Sequence, residues 1–308
     1  MKKKVLVTGA KGFIGSNVVK FFKTLGYETF GIGHGQLSEQ ECKVIDLDYW
    51  FQDDVSIEAL RNINEKFDVI VHCAGSGSVG FSVNHPYQDF KKTVDGTLEL
   101  LEYIRLFNKN TYLIYPSSPS VQGQTQSTKI SETDVGIPIS PYGYHKKIAE
   151  ELCDSYSKQF GISVAIIRLF SIYGIGLQKQ LLWDACSKVY SDKKGIVDFF
   201  GTGEESRDFV HISDVLKLIE CILKGKKEHV VVNCGTGYGV TIHDVVHMVN
   251  SAMDKNPSVI FNNKVDLGNP KHYCADISTS QSLGWMPCVS FQEGLTEYVD
   301  WFMEQKND

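Results

Sequence analysis

Tyr142 and Lys146 stand four residues apart in Pro141-Tyr142-Gly143-Tyr144-His145-Lys146, so on a helix they share one face, a turn apart. A free phenol has a pKa of about 10, and only about one in a thousand is ionised at pH 7. A neighbouring ammonium favours the phenolate and moves such a tyrosine toward acid–base work. Lys146 is also long enough to reach the ribose hydroxyls of a nicotinamide nucleotide. Upstream lies Tyr115-Pro116-Ser117-Ser118-Pro119-Ser120-Val121-Gln122-Gly123, where a serine hydroxyl would hydrogen-bond a reacting oxygen. Each feature has a plain alternative: Tyr–Lys pairs arise by chance on helices, and Ser/Pro/Gly clusters mark turns.

A third feature makes those alternatives less attractive. Thr8-Gly9-Ala10-Lys11-Gly12-Phe13-Ile14-Gly15 carries glycines at GxxGxxG spacing between an apolar run and an amphipathic helix. Such a turn lets the backbone approach a dinucleotide pyrophosphate, which then rests on the helix amides and dipole. The acid that would hold the adenosine ribose is expected after the second strand. The sequence there reads Phe30-Gly31-Ile32-Gly33-His34-Gly35, with no carboxylate. Repulsion of a 2′-phosphate is thereby removed and His34 is available to donate to one, so the lean within NAD(P) is to NADP. Asp46, placed at the end of a third strand over Cys42–Asp46, is expected to meet the adenine amino group.

The elements that must position these residues alternate. Lys4–Thr8 reads as a strand buried on both faces, and Phe13, Ile14, Val18, Val19, Phe22 and Leu25 follow at helical spacing up to Gly26. Further strands are predicted at Tyr27–Ile32, Cys42–Asp46, Asp68–His72, Thr111–Tyr115 and Ser163–Arg168. The Tyr–Lys helix opens at Ser140-Pro141 and stops at Gly161. This rhythm predicts an α/β chain with a doubly wound parallel sheet, ligands lying at the strands' carboxyl ends. Residues 1–168 form the dinucleotide-binding domain, with some later segments packing back onto it. Residues 169–308 form mainly a smaller C-terminal α/β substrate lobe, with helices near 178–190, 213–224, 241–253 and 291–305.

Composition narrows the partners. With 42% apolar and 22% charged residues the chain has the balance of a folded globular enzyme. A net charge of −6 argues against a nucleic-acid surface. No apolar run is long enough to span a bilayer or make a signal peptide, so a cytoplasmic location without membrane insertion is expected. The 8 cysteines show no CxxC or zinc spacing and read as small apolar residues. The histidines are read as forming no metal-binding group.

Together, TGAKGFIGS, VHCAGSGSV, SPYGYHKKIAEEL, RDFVHISDV and ADISTSQSLGWMP resemble the extended short-chain dehydrogenase/reductase family over nearly the whole chain. That family includes nucleotide-sugar epimerases, dehydratases and 4-keto reductases. The resemblance implies a Rossmann-like domain, NAD(P), a nucleotide-sugar substrate and a homodimer formed through two helices flanking the sheet. It implies that Gly9, Gly12, Phe13, Ile14 and Gly15 cradle the pyrophosphate and that Asp46 and Leu47 flank the adenine. Ala74, Gly75 and Ser76 line the cofactor, and Ser78, Ser118, Ser171 and Arg207 meet the substrate. Tyr142 becomes the proton carrier and Lys146 its electrostatic partner, both also touching cofactor; Asp208 and Asp214 are structural.

Departures from the family pattern refine this. The Asp-Glu pair that dehydrates in 4,6-dehydratases is replaced by Pro119 and Ser120, so dehydration is disfavoured. Thr93 and Ser171 stand where the family has asparagines. Asp266 stands where an arginine often holds diphosphate, with Lys264 or Lys271 as possible replacements. C4 epimerisation through a transient 4-keto sugar is the expected reaction. NADPH-dependent reduction of a 4-keto-6-deoxy sugar is the alternative, followed by reduction of a small carbonyl compound or a non-catalytic cofactor sensor.

Overall fold

The computed structural model describes residues 2–225, 227–264 and 270–307. Its strands are β1 (Lys4–Thr8), β2 (Glu28–Gly33), β3 (Tyr49–Gln52), β4 (Val69–His72), β5 (Tyr112–Ser117), β6 (Ser163–Leu169), β7 (Ser171–Tyr173), β8 (Ile196–Phe199), β9 (Ser206–Arg207), β10 (Phe209–His211), β11 (His229–Cys234), β12 (Val240–Thr241) and β13 (Ser258–Phe261). The helices are α1 (Phe13–Thr24), α2 (Glu39–Val44), α3 (Ile57–Asn62), α4 (Val79–Asn84), α5 (Pro86–Phe90), α6 (Gly96–Phe107), α7 (Pro141–Phe160), α8 (Gln180–Ser191), α9 (Ile212–Gly225), α10 (Ile242–Ala252), α11 (Ser278–Ser282) and α12 (Phe291–Asn307). A π-helical turn, Lys91–Asp95, joins α5 to α6.

Two compact units divide the chain. The first comprises residues 1–123, 135–168 and 219–232, and the second residues 124–134, 169–218 and 233–308. In the first, the sheet order is β11-β6-β5-β4-β1-β2-β3, with the pairs from β3 through β6 parallel. The order reverses between β1 and β4, which opens a crevice at the carboxyl ends of those two strands. Val5, Leu6, Val7, Ile70, Val71, Leu113 and Ile114 are inaccessible to solvent because helices cover both faces of the sheet. This is the Rossmann-like α/β architecture.

The third strand differs from expectation. Residues 39–44 form α2, started by a capping box in which Ser38 and Glu41 satisfy each other's backbone amides. The strand lies further on, at Tyr49–Gln52. Asp46 adopts a φ of +58° ahead of that strand, and its carbonyl accepts from Thr29 Oγ1 at 2.9 Å, near the amino end of β2. Its exposed side chain therefore belongs to the amino end of the sheet, opposite the glycine turn. Leu47 is buried and would be the nearest obstacle, after Ala10, to a side chain at Gly31. The residues that do follow the third strand are Asp53 and Asp54, and the Asp53 amide donates to the carbonyl of Gly33 at 3.1 Å.

In the second unit, Asp208 and Asp214 act as internal struts. Asp208 is inaccessible to solvent and accepts from the amides of Thr236, Gly237 and Ala275. Asp214 accepts from the amides of Cys288 and Val289, while its carbonyl takes the Trp285 indole N–H. All eight cysteines are free thiols; Cys153, Cys186 and Cys234 are buried, whereas Cys288 is exposed. Among the described residues no helix is long and apolar enough to cross a membrane.

Candidate active site

The glycine turn follows β1 directly. Gly9 has a φ of +65°, and a Cβ there would lie 2.9 Å from Ala74 N and Cys73 C and O on the exit of β4. Only glycine lets these two strand ends approach so closely. The Thr8 hydroxyl ties them together, meeting His72 Nδ1 at 2.8 Å and accepting from Ala74 N–H at 3.0 Å. Burial, with Lys146 adding to it, pushes His72 down to about 3, so this ring is neutral. Gly12 starts α1 with no side-chain cap and no acid in the first turn. The helix amides at Phe13, Ile14 and Gly15 thus carry no anionic competitor, which is the donor set a pyrophosphate requires. The chain fits a dinucleotide here.

Gly75, with a φ of +127°, and Ser76, whose amide donates to Thr93 Oγ1 at 3.4 Å, continue this edge. Ser78 is exposed and caps α4, its Oγ accepting from Phe81 N–H at 3.2 Å. On the far side of the turn, exposed His34 pairs with Asp54 at 2.9 Å. The place beyond β2 that lacks an acid in sequence therefore receives one from the end of β3.

β5 delivers Ser118. Its hydroxyl caps the short 3-10 turn Pro119–Val121, accepting from Ser120 N–H at 3.2 Å. α7 begins at the Ser140 cap with Pro141 in the first turn and ends at Gly161 in the left-handed conformation, as the sequence predicts. Gly143 brings α7 against the β5 exit, since a Cβ there would lie 2.5 Å from Ser120 O. That approach puts Tyr142 within hydrogen-bonding reach of Ser118. Burial pushes the Tyr142 phenol up to about 12, and the Ser118 hydrogen bond opposes it. The expected lowering by a neighbouring ammonium is not what the structure gives: desolvation sets the direction, and Ser118, not Lys146, acts against it. Lys146 is buried, donates to Pro116 O at 2.9 Å and Tyr115 OH at 3.4 Å, and is brought down to about 8 by burial.

Of the residues singled out from sequence, the first unit brings together the glycine turn, Ala74 to Ser76, Ser118, Tyr142 and Lys146. Ser171 and Arg207 belong to the second unit. Ser171 opens β7 and its amide donates to Asp208 O at 2.9 Å. The Arg207 guanidinium donates to Ser206 O at 2.7 Å and Lys271 O at 3.3 Å, and lies over the Tyr273 ring. Lys271 meets Arg207 through its carbonyl, whereas its amine approaches Glu204. Asp266 lies outside the described residues.

Asp53 and Asp54 were passed over in the sequence; Ser38-x-x-Glu41 was the signal that would have moved the third strand to just before them. A four-apart histidine pair was also missed: His243 and His247 on α10 bring their ring centroids to 4.3 Å. Among the described residues no group of three or more metal-ligating side chains forms.

A doubly wound sheet with a glycine turn at its switch point is the layout of a dinucleotide-binding fold. The chain belongs to the NAD dependent epimerase/dehydratase family, whose Epimerase model matches residues 5–235. It is 31% identical to an uncharacterized UDP-glucose epimerase, YtcB, of Bacillus subtilis (strain 168), over 96% of each chain. It is 28% identical to the UDP-glucuronate 4-epimerase of Thermodesulfobacterium geofontis, over 97% of this chain and 96% of the relative. The UDP-glucuronic acid 4-epimerase of Bacillus cereus, solved with UDP-glucuronic acid and NAD, superposes with a TM-score of 0.87 at 28% identity, covering 98% of this chain and 99% of the other.

Proposed function

We propose that this protein epimerises C4 of the hexose in a UDP-sugar, using NAD as a resident cofactor. The observation that carries the reading is the close approach of α7 to the β5 exit at Gly143, which gathers Ser118, Tyr142 and buried Lys146 in the unit that also holds the glycine turn. Bound NAD would supply a hydride acceptor at C4 and give the same hydride back. Tyr142, in its ionised form, takes the C4 hydroxyl proton as the carbinol is oxidised. Ser118 donates to the resulting carbonyl oxygen, and Tyr142 returns the proton after the ketone has presented its other face. Lys146, held by Pro116 O and Tyr115 OH, is placed as a donor to the nicotinamide ribose. No net reductant is consumed.

The nucleotide assignment draws on the named relatives and on Arg207, a guanidinium suited to a diphosphate. NAD rather than NADP is favoured by two observations. The Bacillus cereus structure carries NAD, and Asp54 places a carboxylate against His34 where a 2′-phosphate would be repelled. Both count against an NADPH-dependent reductase. Dehydration lacks its groups, because Pro119 and Ser120 are buried in the 3-10 turn and carry no acid. Pairing of two copies is part of the same reading, supported by exposed Leu98 and Leu106 on α6 and Tyr144 on α7.

The test is incubation of the purified protein with UDP-glucose and UDP-glucuronate, without added reductant, and chromatography of the products. The expected result is conversion of at least one to a mixture of C4 epimers. No epimer from either, together with NADPH oxidation by a 4-keto sugar, would overturn the proposal. Tyr142→Phe is expected to lower kcat by about 100-fold or more while NAD binding persists. Lys146→Met is expected to weaken NAD binding as well, measured by calorimetry.

A further inference from the structure

Next to Tyr142 lies a pair of side chains that the Tyr–Lys motif does not use. Asp89, on α5, is inaccessible to solvent, and its Oδ2 accepts from His145 Nδ1 at 2.5 Å. Its other oxygen, Oδ1, is buried without a hydrogen-bond partner. His145 sits on α7 between Tyr142 and Lys146, its ring edge-on to Phe90 at 5.3 Å. Ser82, on α4 and also inaccessible, accepts from the backbone N–H of Tyr142 at 3.0 Å. That N–H is one of the amides an α-helix leaves unsatisfied at its start. Two buried groups from residues 79–95 therefore grip the first turns of α7, where the proposed proton carrier stands.

A buried carboxylate with a spare oxygen is a poor way to hold two helices together, since an apolar pair of similar volume does so at least as well. Its charge, however, reaches both neighbouring groups. Burial, opposed by Ser118, and then Asp89 hold the Tyr142 phenol up. At Lys146 burial acts downward while Cys73, Glu150 and Asp89 act upward.

We propose that Asp89, held by His145, is a positioning residue for Tyr142: it locks the turn of α7 that carries the phenol and keeps a fixed negative charge beside it. The proposal rests on Tyr142 being the proton carrier. An epimerase must use one tyrosine both to take a proton and to give it back. Asp89 acts in the same direction as burial on this phenol, favouring the protonated form from which the proton is handed back.

The other charges around the pair are engaged elsewhere or distinct in kind. α4 ends before His85, which packs on Phe81; in the π-helical turn Lys91 pairs with Asp95 and Lys92 lies over the Phe81 ring. On α6, Glu99 accepts from Ile57 N–H and Glu102 pairs with Arg105. On α7, Lys146 is the cation already described, and Glu150 pairs with Arg168.

The test follows Tyr142 ionisation directly, as the ultraviolet difference between each NAD-loaded protein and its own Tyr142→Phe counterpart. Asp89→Asn keeps an acceptor for His145 but removes the charge. It is expected to lower the ionisation midpoint by about one pH unit or more, and to move the acid limb of the turnover–pH profile the same way. Ser82→Ala is expected to reduce kcat with the midpoint unmoved. An unchanged midpoint in Asp89→Asn overturns the proposal. Should Asp89→Asn not fold, the double variant Asp89→Leu, His145→Phe removes both polar partners together, which cores tolerate better than removing one, and the same shift is expected. Absence of turnover in the wild type would refute the epimerase reading alone, because the titration needs no substrate.

Discussion

Lys146 shows how far a residue's environment moves it from its ordinary chemistry. Burial brings its amine from 10.5 down to about 8, even though Cys73, Glu150 and Asp89 pull the other way. Between those two pH values the unfolded chain holds a proton at this lysine that the folded chain has given up. Stability from this group therefore rises with pH across that window, and the cost of burying the ammonium is felt below it. Relative to Lys146→Met, the wild type is expected to gain about 1.5 kcal/mol in unfolding free energy between pH 8 and 9.5. Urea denaturation at the two pH values checks this, and parallel changes in both proteins would contradict it. At this scale the sequence points to residues but not to their environments. Tyr142 and Lys146 are readable from spacing and Ser118 from the family resemblance, and the three lie in one unit. The sign of the tyrosine's shift is not, because it depends on how completely distant segments close around the ring.

Helices and strands were legible wherever their own residues carried the signal. α7 begins at its Ser140-Pro141 cap and ends at Gly161, and β4, β5 and β6 lie within two residues of where apolar runs place them. β3 was not legible, because Tyr49-Trp50-Phe51-Gln52 is half-exposed at the sheet edge while Cys42–Asp46 offers an equally short apolar run. The error carried Asp46 with it, from the carboxyl end of the sheet, where it was expected, to the amino end. α7 also shows a fit between elements that propensity alone would misjudge. Replacing a helical glycine by alanine ordinarily stabilises by about 0.5–1 kcal/mol. At Gly143 the added Cβ would meet Ser120 O at 2.5 Å and Pro138 Cβ at 3.0 Å. Gly143→Ala is therefore expected to destabilise, by about 1–2 kcal/mol net of propensity, and to lower kcat by displacing Tyr142 from Ser118. Thermal melting and steady-state assay of the one variant check both; a higher melting temperature would show that α7 can move aside.

Across the whole chain there are two compact units whose segments are exchanged in sequence. Residues 124–134 leave the first unit so that Ile130 can bridge Ala275, and residues 219–232 return to it with most of β11 at the sheet edge. No local pattern announces such exchanges, since they are decided by pairings a hundred or more residues apart, as with Ile130 and Ala275. The two units carry different residues of the proposed reading, so each can be tested by itself. The glycine turn and Lys146 lie in the first unit, and Arg207, stacked on Tyr273 and anchored by Ser206 O, lies in the second. A ligand that binds only the folded state raises stability by about 2.7 kcal/mol at a hundredfold excess over its Kd. UDP and NAD are each expected to raise the melting temperature of the wild type. Arg207→Ala is expected to abolish the UDP-induced rise and leave the NAD-induced rise intact, whereas Lys146→Met is expected to reduce the NAD effect. Loss of both effects in Arg207→Ala would mean that this arginine supports the fold rather than a diphosphate. A UDP effect that persists in Arg207→Ala would place the nucleotide handle on other residues.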